Sequence, residues 1–309
     1  MKILALLALT LPTLCLADPA PPFPHPSAGS IERLADMASH NIPARNVDVW
    51  LPPGYPKDAP YAVVYMHDGQ MLFDANTTWN HQEWRADEVA ADLIEKHKVR
   101  PFLIVGIWNV GKNRISEYFT QKPWESLTPA QQQGLYKQKR GDDPILPIAP
   151  YADAYLKFLV DELKPNIDRR YAVDPKPAST FVAGSSLGGL VSMYALGEYP
   201  DVFGGAACLS THWPGASMHD DPNNPGPAAF LAYMRDHYPS PAGHKIYFDH
   251  GTETLDATYA ERQDAVDKLL REKGYDSAHL LSLTFRGAEH NEKAWAARLD
   301  QPLVFLLGK

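Results

Sequence analysis

The sequence predicts an α/β protein built on a mostly parallel central sheet with helices on both faces. Short apolar runs alternate along the chain with segments of helical periodicity. Two of these runs, 61–67 and 102–108, are apolar throughout, as are central strands that are covered on both faces. Two long polar stretches, 109–150 and 211–229, each follow a predicted strand. Because the ends of parallel strands share one edge of a sheet, we expect both loops to lie over the active-site edge.

The predicted elements follow one another in a regular order. Strands are predicted over 46–51, 61–67, 102–108, 179–184, 204–210, 245–251 and 280–287. Helices are predicted over 83–97, 151–163, 190–200 and 258–274, with a further helix at the end of the chain. The helix that begins near Tyr151 is expected to end at Pro165, because proline lacks the N–H that continues a helix.

The N-terminus has the layout of a secretory signal peptide. An apolar run from Ile3 to Leu16 stands behind Lys2 and is followed by the small residue Ala17. The run is shorter than the roughly 20 residues that a membrane span needs. We therefore predict a signal peptide over 1–17, a Pro-rich tail over 18–29 and one domain over 30–309, with export to the periplasm or beyond the cell.

Composition excludes some classes of partner. The chain has 29 Lys and Arg against 37 Asp and Glu, a formal charge of −8, and it contains no basic cluster. This balance argues against nucleic acid and against an anionic membrane surface. Cys15 leaves with the predicted signal peptide and Cys208 then stands alone, so no internal disulfide is expected.

Residues 181–190, FVAGSSLGGL, contain the pattern G-x-S-x-G between an apolar strand and a helix. In that context the pattern indicates a nucleophile elbow, a strained turn that exposes a serine. The residues two before and two after the nucleophile must be small, because they pack against its backbone. Ser186 has Gly184 and Gly188 at those positions, whereas Ser185 has Leu187 on one side, so Ser186 is the predicted nucleophile.

A serine nucleophile of this kind requires a histidine base and a carboxylate, which follow in the order Ser, acid, His. His290 lies in a loop after the last predicted strand, and it is the histidine whose position satisfies this order. The acid is expected in the segment 251–259, after the strand that ends near His250. That segment offers Asp256, which we favour, and Glu253, which is held in reserve.

Two backbone N–H groups are expected to stabilise the oxyanion that forms when an ester carbonyl is attacked. One belongs to Leu187, directly after the nucleophile, and the other to Gln70, where Gly69 lets the chain turn after a strand. The adjacent His67 and Asp68 point to opposite faces of a strand and no further ligands stand at suitable spacing. We therefore expect no metal at this pair.

These residues resemble the putative-esterase family of α/β-hydrolases, which includes feruloyl, acetylxylan and enterochelin esterases, S-formylglutathione hydrolases and mycolyltransferases. The resemblance rests on VDVWLPPGY, VVYMHDGQMLFD, YLKFLVDELKPNIDRRY, VAGSSLGGL and GAEHNEKAW, which together cover most of residues 44–300. It implies an α/β-hydrolase fold and an ester hydrolase without a cofactor, with Ser186, His290 and either Asp256 or Glu253 as its triad. One departure concerns the acid, since family members are expected to carry a carboxylate where this chain has Thr254.

The function that follows is an exported serine esterase acting through an acyl-enzyme on a small-molecule or carbohydrate-linked ester. An acyltransferase with the same triad is the first alternative, and a non-catalytic ligand-binding protein of the same fold is the second. Export disfavours the cytosolic S-formylglutathione but leaves polysaccharide-linked, siderophore and small acyl esters open. Aromatic side chains at strand ends or in the two long loops are predicted to line an acyl pocket, namely Trp108, Tyr118, Trp124 and Trp213.

Overall fold

The computed structural model describes residues 21–217 and 221–308. The predicted signal peptide therefore lies outside the described residues. Ten strands are present in this part of the chain: β1 (Ser30–Met37), β2 (Arg45–Leu51), β3 (Ala62–His67), β4 (Phe102–Ile107), β5 (Lys139–Arg140), β6 (Asp143–Pro144), β7 (Thr180–Ser185), β8 (Gly205–Leu209), β9 (Lys245–His250) and β10 (Leu280–Thr284).

The helices of the same residues complete the alternation. They are α1 (Ala86–Glu95), α2 (Arg114–Tyr118), α3 (Gln121–Glu125), α4 (Pro129–Tyr136), α5 (Ala152–Lys157), α6 (Lys164–Arg170), α7 (Leu187–Glu198), α8 (Gly226–His237), α9 (Ala260–Glu272), α10 (Glu292–Ala296) and α11 (Asp300–Leu307). None of the helices in 21–217 and 221–308 is long and apolar enough to cross a membrane.

Eight strands form one sheet in the order β1-β2-β4-β3-β7-β8-β9-β10. Within this sheet β3, β4, β7, β8, β9 and β10 run parallel, whereas β2 pairs antiparallel with both β1 and β4. The seven predicted strands correspond to β2, β3, β4, β7, β8, β9 and β10. The prediction of a mostly parallel α/β sheet is confirmed.

The sheet separates two apolar cores, which explains why its central strands are apolar throughout. One core joins one face of the sheet to α5, α6, α7, α8 and α9. The other joins the opposite face to α1 and α11. Every residue of β3, β4 and β7 is buried, because side chains pointing to either face meet a helical layer. The parallel strands therefore end at one edge, over which their loops lie.

Three local predictions need correction. The helix predicted to end at Pro165 continues to Arg170, because a π-helical turn over Phe158–Leu163 precedes the proline and α6 takes it up in its first turn. The strand β1 was not expected, since its residues include charged ones, alternate between exposed and half-buried, and do not form an apolar run. The stretch 109–150 contains a 3₁₀ turn, three short α-helices and the hairpin β5–β6 rather than one irregular loop.

The described part of the predicted tail is attached to the domain. The backbone N–H of His25 donates to Asp74, and those of Ser27 and Ala28 donate to Asp87. The indole of Trp50 donates to the Ala28 carbonyl at 2.7 Å. Residues 25–28 thus pack against the sheet domain rather than forming a free linker.

Candidate active site

The turn between β7 and α7 has the geometry of a nucleophile elbow. Ser186 adopts φ 57° and ψ −123°, a strained conformation for a residue with a side chain. A Cβ placed on Gly184 would stand 2.8 Å from the backbone of Gly188, so the two flanking glycines pack directly against each other. The spacing of G-x-S-x-G is therefore required by the backbone of this turn.

The two serines of the turn occupy different environments. Ser185 is the last residue of β7 and is 3 % exposed, whereas Ser186 is partly exposed at the start of α7. The Ser186 N–H donates to the carbonyl of Leu209 at 3.0 Å, and its carbonyl accepts from the N–H of His212 at 3.1 Å. These bonds fix the elbow to the end of β8, while the Ser186 side chain stays accessible.

The two loops that follow β9 and β10 bring an imidazole and a carboxylate together. Asp256 lies in a short 3₁₀ helix, Thr254–Thr258, and His290 lies just before α10. The Nδ1 atom of His290 is 2.6 Å from Oδ1 of Asp256. Glu253 is exposed and accepts from the hydroxyl of Thr252 at 3.1 Å. Of the two predicted carboxylates, Asp256 is therefore the partner of His290.

A separate set of contacts places His290 beside the elbow. The His212 ring, whose backbone N–H holds the Ser186 carbonyl, lies with its centroid 6.5 Å from that of His290. Tyr259 packs against both imidazoles at 5.9 Å. The hydrogen bonds of the described residues join His290 to Asp256 but include none between the Ser186 hydroxyl and His290.

Backbone contacts hold the acid loop against the histidine loop. The carbonyl of Ala288 accepts from the N–H groups of both Thr252 and Glu253 at 3.1 and 3.0 Å. A Cβ on Gly251 would stand 2.1 Å from that carbonyl oxygen, so only glycine fits at this position. The family pattern predicts a carboxylate at position 254, where this chain has Thr254. The hydroxyl of Thr254 accepts a hydrogen bond from the His290 N–H at 2.9 Å.

Hydrogen bonding determines the charge of the acid. Burial alone raises the pKa of Asp256, but hydrogen bonds from His290, from the Ser210 hydroxyl and from the Gly251 N–H outweigh it and lower that pKa below its usual value. Asp256 is therefore an anion at neutral pH. Burial, together with the neighbouring His290, lowers the pKa of His212 to about 3, so the imidazole beside the elbow is uncharged.

The predicted oxyanion donors lie on neighbouring strand ends. Leu187 is the first residue of α7, so its N–H is among those without an acceptor inside the helix. Gln70 lies in the single turn Gly69–Met71 directly after β3. The positive φ of this turn, 58°, belongs to Asp68 rather than to Gly69. Gly69 is required for another reason, since a Cβ there would stand 2.3 Å from the backbone of Gly106.

His67 and Asp68 both form hydrogen bonds with other side chains of the protein. Asp68 accepts two hydrogen bonds from Arg114, both at 2.6 Å, and one from Asn109 at 2.7 Å. Its burial is outweighed by Arg114, which lowers its pKa. His67 is buried with its Nδ1 2.7 Å from the hydroxyl of Tyr155. Within 21–217 and 221–308, no group of three or more His, Cys, Asp or Glu is arranged to hold a metal ion.

The four aromatic residues predicted to line a pocket take part in packing. Tyr118 is fully buried against His67, Trp124 packs on Phe119, and Trp213 donates to Gln263 while it packs on Phe248. Trp108 is half-buried, donates to Asp48 and lies under the guanidinium of Arg33. A buried ring offers a substrate no surface, so a lining role is not supported for Tyr118, Trp124 or Trp213.

One exposed aromatic residue near the site was missed in the sequence. Trp79 is 82 % exposed in the loop between β3 and α1. The next residue, Asn80, donates to Glu292 at 2.9 Å, and Glu292 begins the helix that follows His290. The residue next to Trp79 therefore contacts the helix that follows the histidine loop. The signal that could have found Trp79 is its position among polar residues in the stretch TTWNHQ, where no apolar neighbours explain a tryptophan.

Comparison with known proteins shows the family. The family described as "Putative esterase" matches residues 43–306, which is most of the chain. A relative from Bacillus subtilis, named as the uncharacterized protein YbbA, is 24 % identical over 280 residues, covering 88 % of this chain and 96 % of its own. The ferri-bacillibactin esterase BesA of the same organism is 31 % identical over 160 residues, covering 51 % of this chain and 50 % of its own.

Solved structures show the same fold. The enterobactin esterase of Shigella flexneri, determined in the presence of enterobactin, superposes with a TM-score of 0.64 at 17 % identity, covering 92 % of this chain and 60 % of that one. A ferulic acid esterase of Anaeromyces mucronatus superposes with a TM-score of 0.58 at 15 % identity, covering 91 % of each chain. With an elbow serine, a histidine bound to an aspartate, and this likeness in sequence and fold, the chain belongs to the esterase family of α/β-hydrolases.

Proposed function

We propose that this protein is a serine carboxylic-ester hydrolase in which Ser186, His290 and Asp256 form the catalytic triad. The observation that carries the proposal is the 2.6 Å bond between His290 Nδ1 and Asp256, made by two loops at the sheet edge to which the strained Ser186 elbow belongs. The anionic Asp256 keeps the proton of the imidazole on Nδ1. Nε2 is then free to accept the proton of a serine hydroxyl.

The reaction proceeds through an acyl-enzyme. Ser186 Oγ attacks the ester carbonyl while His290 takes the hydroxyl proton, and the carbonyl oxygen becomes an oxyanion. The N–H groups of Leu187 and Gln70 donate to that oxyanion. His290 then gives its proton to the leaving alkoxide as the tetrahedral intermediate collapses. Water, activated by the same imidazole, attacks the acyl-enzyme and releases the carboxylic acid and the free serine.

The substrate class that we propose is an ester that carries an aromatic ring. Solved relatives are named as enterobactin and ferulic acid esterases, and one enterobactin esterase was determined in the presence of 2,3-dihydroxy-N-benzoyl-serine. The exposed ring of Trp79, next to the residue that contacts the helix after His290, supports this proposal, because an aromatic face can stack on a planar acyl group. A cofactor is not required by these steps.

Export is the second part of the proposal, and it rests on the apolar run Ile3–Leu16 and on Ala17. Expression of the full chain in a bacterial host, followed by separation of periplasm and cytoplasm, tests it. We expect a periplasmic protein whose N-terminus, read by mass spectrometry, is residue 18. A cytoplasmic product that retains Met1 would contradict this.

Hydrolysis assays test the activity itself. We expect the protein to hydrolyse p-nitrophenyl esters, methyl ferulate or a catecholate siderophore ester, and the panel identifies the preferred acyl group. Ser186→Ala should lower kcat by about 10⁴ to 10⁶, whereas Ser185→Ala, at a buried strand residue, should cost far less. Loss of activity in the Ser185 variant alone would overturn the assignment. Product analysis with an added alcohol distinguishes hydrolysis from acyl transfer.

A further inference from the structure

A buried polar group stands behind Asp256, on the side away from His290. It consists of Ser210 after β8, Asp249 in β9 and Arg298 between α10 and α11. Ser210 and Asp249 are fully buried and Arg298 is 2 % exposed. Three separate segments of the chain therefore place charged and polar side chains in the core next to the triad acid, where an unpaired charge would be strongly unfavourable.

The hydroxyl of Ser210 can point in only one direction. Its oxygen lies 2.6 Å from Oδ2 of Asp256, 2.8 Å from Nη2 of Arg298 and 3.0 Å from Nε1 of Trp295. Arginine and tryptophan can only donate, so both occupy lone pairs of the hydroxyl. The single hydroxyl proton is left for Asp256. Ser210 is thus a fixed donor to the acid.

The charge of Arg298 lies close behind this hydroxyl. Its guanidinium makes two bonds to Asp249, at 2.9 and 3.1 Å, and its Nη2 is 4.0 Å from Oδ2 of Asp256. Asp249 also accepts from the hydroxyl of Tyr247 and the N–H of Ser210. Burial raises the pKa of Asp249, whereas the ion pair with Arg298 and these hydrogen bonds oppose that rise. Arg298 therefore joins two carboxyl groups, Asp249 directly and Asp256 across Ser210.

The two carboxylate oxygens of Asp256 have different hydrogen-bond partners. Oδ2 accepts from Ser210 and from the Gly251 N–H, both at 2.6 Å, which leaves Oδ1 for His290. Two titratable rings contact His290, those of Tyr259 and His212. Burial raises the pKa of Tyr259 and lowers that of His212, so both rings are uncharged at neutral pH. Arg298 is thus the cation that reaches the acid from behind.

We infer that Ser210 and Arg298 are positioning residues that hold the triad acid as an oriented anion and limit how strongly it binds the protonated His290. The inference rests on the proposed function. Without the Ser210 donor or the Arg298 charge, Asp256 would rotate more freely and would hold a proton on His290 more tightly. The base would then be protonated, and inactive, at a higher pH.

The first test compares Ser210→Ala with Ser179→Ala. Ser179 is a matched control, because its buried hydroxyl also donates to an aspartate, Asp174 at 2.7 Å, and accepts from an arginine, Arg100 at 3.1 Å, but it lies before β7 at the opposite end of the strand. Ser210→Ala should lower kcat/KM by about 10- to 100-fold, as loss of one hydrogen bond to a charged group does. It should also move the acid limb of the pH profile, the pH range in which kcat/KM falls as His290 becomes protonated, to higher pH. Ser179→Ala should leave that limb in place.

The second test separates charge from packing. Arg298→Gln combined with Asp249→Asn removes the buried ion pair as a whole, so no unpaired charge remains. We expect the acid limb to move upward in this variant and to stay in place in Arg298→Lys, which retains the cation. Should Ser210→Ala not fold, Trp295→Phe removes one of the two donors that orient the hydroxyl and should shift the limb less, in the same direction.

The outcomes distinguish this inference from the proposed function. If the unmodified protein hydrolyses no ester, or if Ser186→Ala is fully active, the proposed function fails. If the unmodified protein is active but the acid limb of Ser210→Ala, of the Arg298 and Asp249 double variant and of Trp295→Phe all coincide with it, the inference is overturned. Titration of His290 by ¹⁵N NMR in the full chain gives the same comparison without an activity measurement.

Discussion

Replacement of Asp256 by asparagine removes one charge from the site while it keeps the shape of the side chain. Oδ2 of Asp256 accepts from the Ser210 hydroxyl and from the Gly251 N–H. Both are donors, so in Asp256→Asn the amide oxygen must take this position. The amide NH₂ is then directed at Nδ1 of His290, which stands 2.6 Å from Oδ1 in the unmodified protein.

This orientation reverses the hydrogen bond to the imidazole. An NH₂ group donates, so Nδ1 must become the acceptor and the ring proton moves to Nε2. His290 then has no free nitrogen with which to take the proton of Ser186. The variant also loses the negative charge that stabilises the imidazolium. We expect kcat to fall by about 10⁴, which corresponds to about 5 kcal/mol of transition-state stabilisation.

The assay measures kcat and KM on a p-nitrophenyl ester, with circular dichroism and thermal unfolding as checks that the variant is folded. Glu253→Gln is the matched control, since Glu253 is exposed and contacts Thr252 rather than His290. It should stay within about tenfold of the unmodified protein, because an exposed carboxylate contributes little to a distant transition state. An active Asp256→Asn beside an inactive Glu253→Gln would refute the assignment, and two mild losses would show that neither residue is the triad acid.

Three further changes have defined expectations. Gly251→Ala places a Cβ 2.1 Å from the Ala288 carbonyl, so it should destabilise the protein by about 1–3 kcal/mol in denaturant unfolding and lower activity; an unchanged midpoint would contradict the contact. Trp79→Ala should raise KM for an aryl ester by about 2- to 10-fold with little change in kcat or in an acetyl ester, and equal effects on both esters would exclude stacking. Treatment with EDTA should leave activity unchanged, whereas a loss that Zn²⁺ restores would point to His67 and Asp68.

The sequence was sufficient to predict the sheet where strands are buried on both faces. In β3, β4 and β7 every residue is buried, so the apolar runs mark the strands directly. The edge strand β1 carries a different pattern, with charged and half-buried residues, because one side of it has no neighbouring strand. Pro165 was misinterpreted because a π-helical turn before it accommodates a proline that ordinarily ends a helix.

Some site residues are identified by a local sequence pattern, whereas others depend on contacts between distant segments. Ser186 could be predicted because the elbow is encoded within five residues, Gly184 to Gly188. For the partner of His290 the sequence favoured Asp256 with Glu253 in reserve, since the two are three positions apart and the path of the loop decides which one faces the imidazole. Three of the four aromatic residues predicted to line a pocket, Tyr118, Trp124 and Trp213, are buried, because a ring at a strand end can point into the core as readily as toward the loops.

Long-range contacts also form the buried polar group of Ser210, Asp249 and Arg298 behind Asp256, which no sequence motif indicates. Arg298 reaches Asp249 and Ser210 from 49 and 88 positions away. Ser210 and Asp249 lie near the ends of the predicted strands 204–210 and 245–251, and Arg298 lies near the end of the chain, so the sequence alone does not connect them. Their burial becomes evident only when the end of the chain packs beneath the loops that follow β8 and β9.

The most direct test of the central claim is covalent labelling of the nucleophile. A fluorophosphonate reacts with an activated serine hydroxyl, and intact-protein and peptide mass spectrometry then locates the adduct. We predict one adduct per chain, on Ser186, that is retained in Ser185→Ala and absent from Ser186→Ala. An adduct on another residue, or one that persists in Ser186→Ala, would contradict the assignment of Ser186 as the nucleophile.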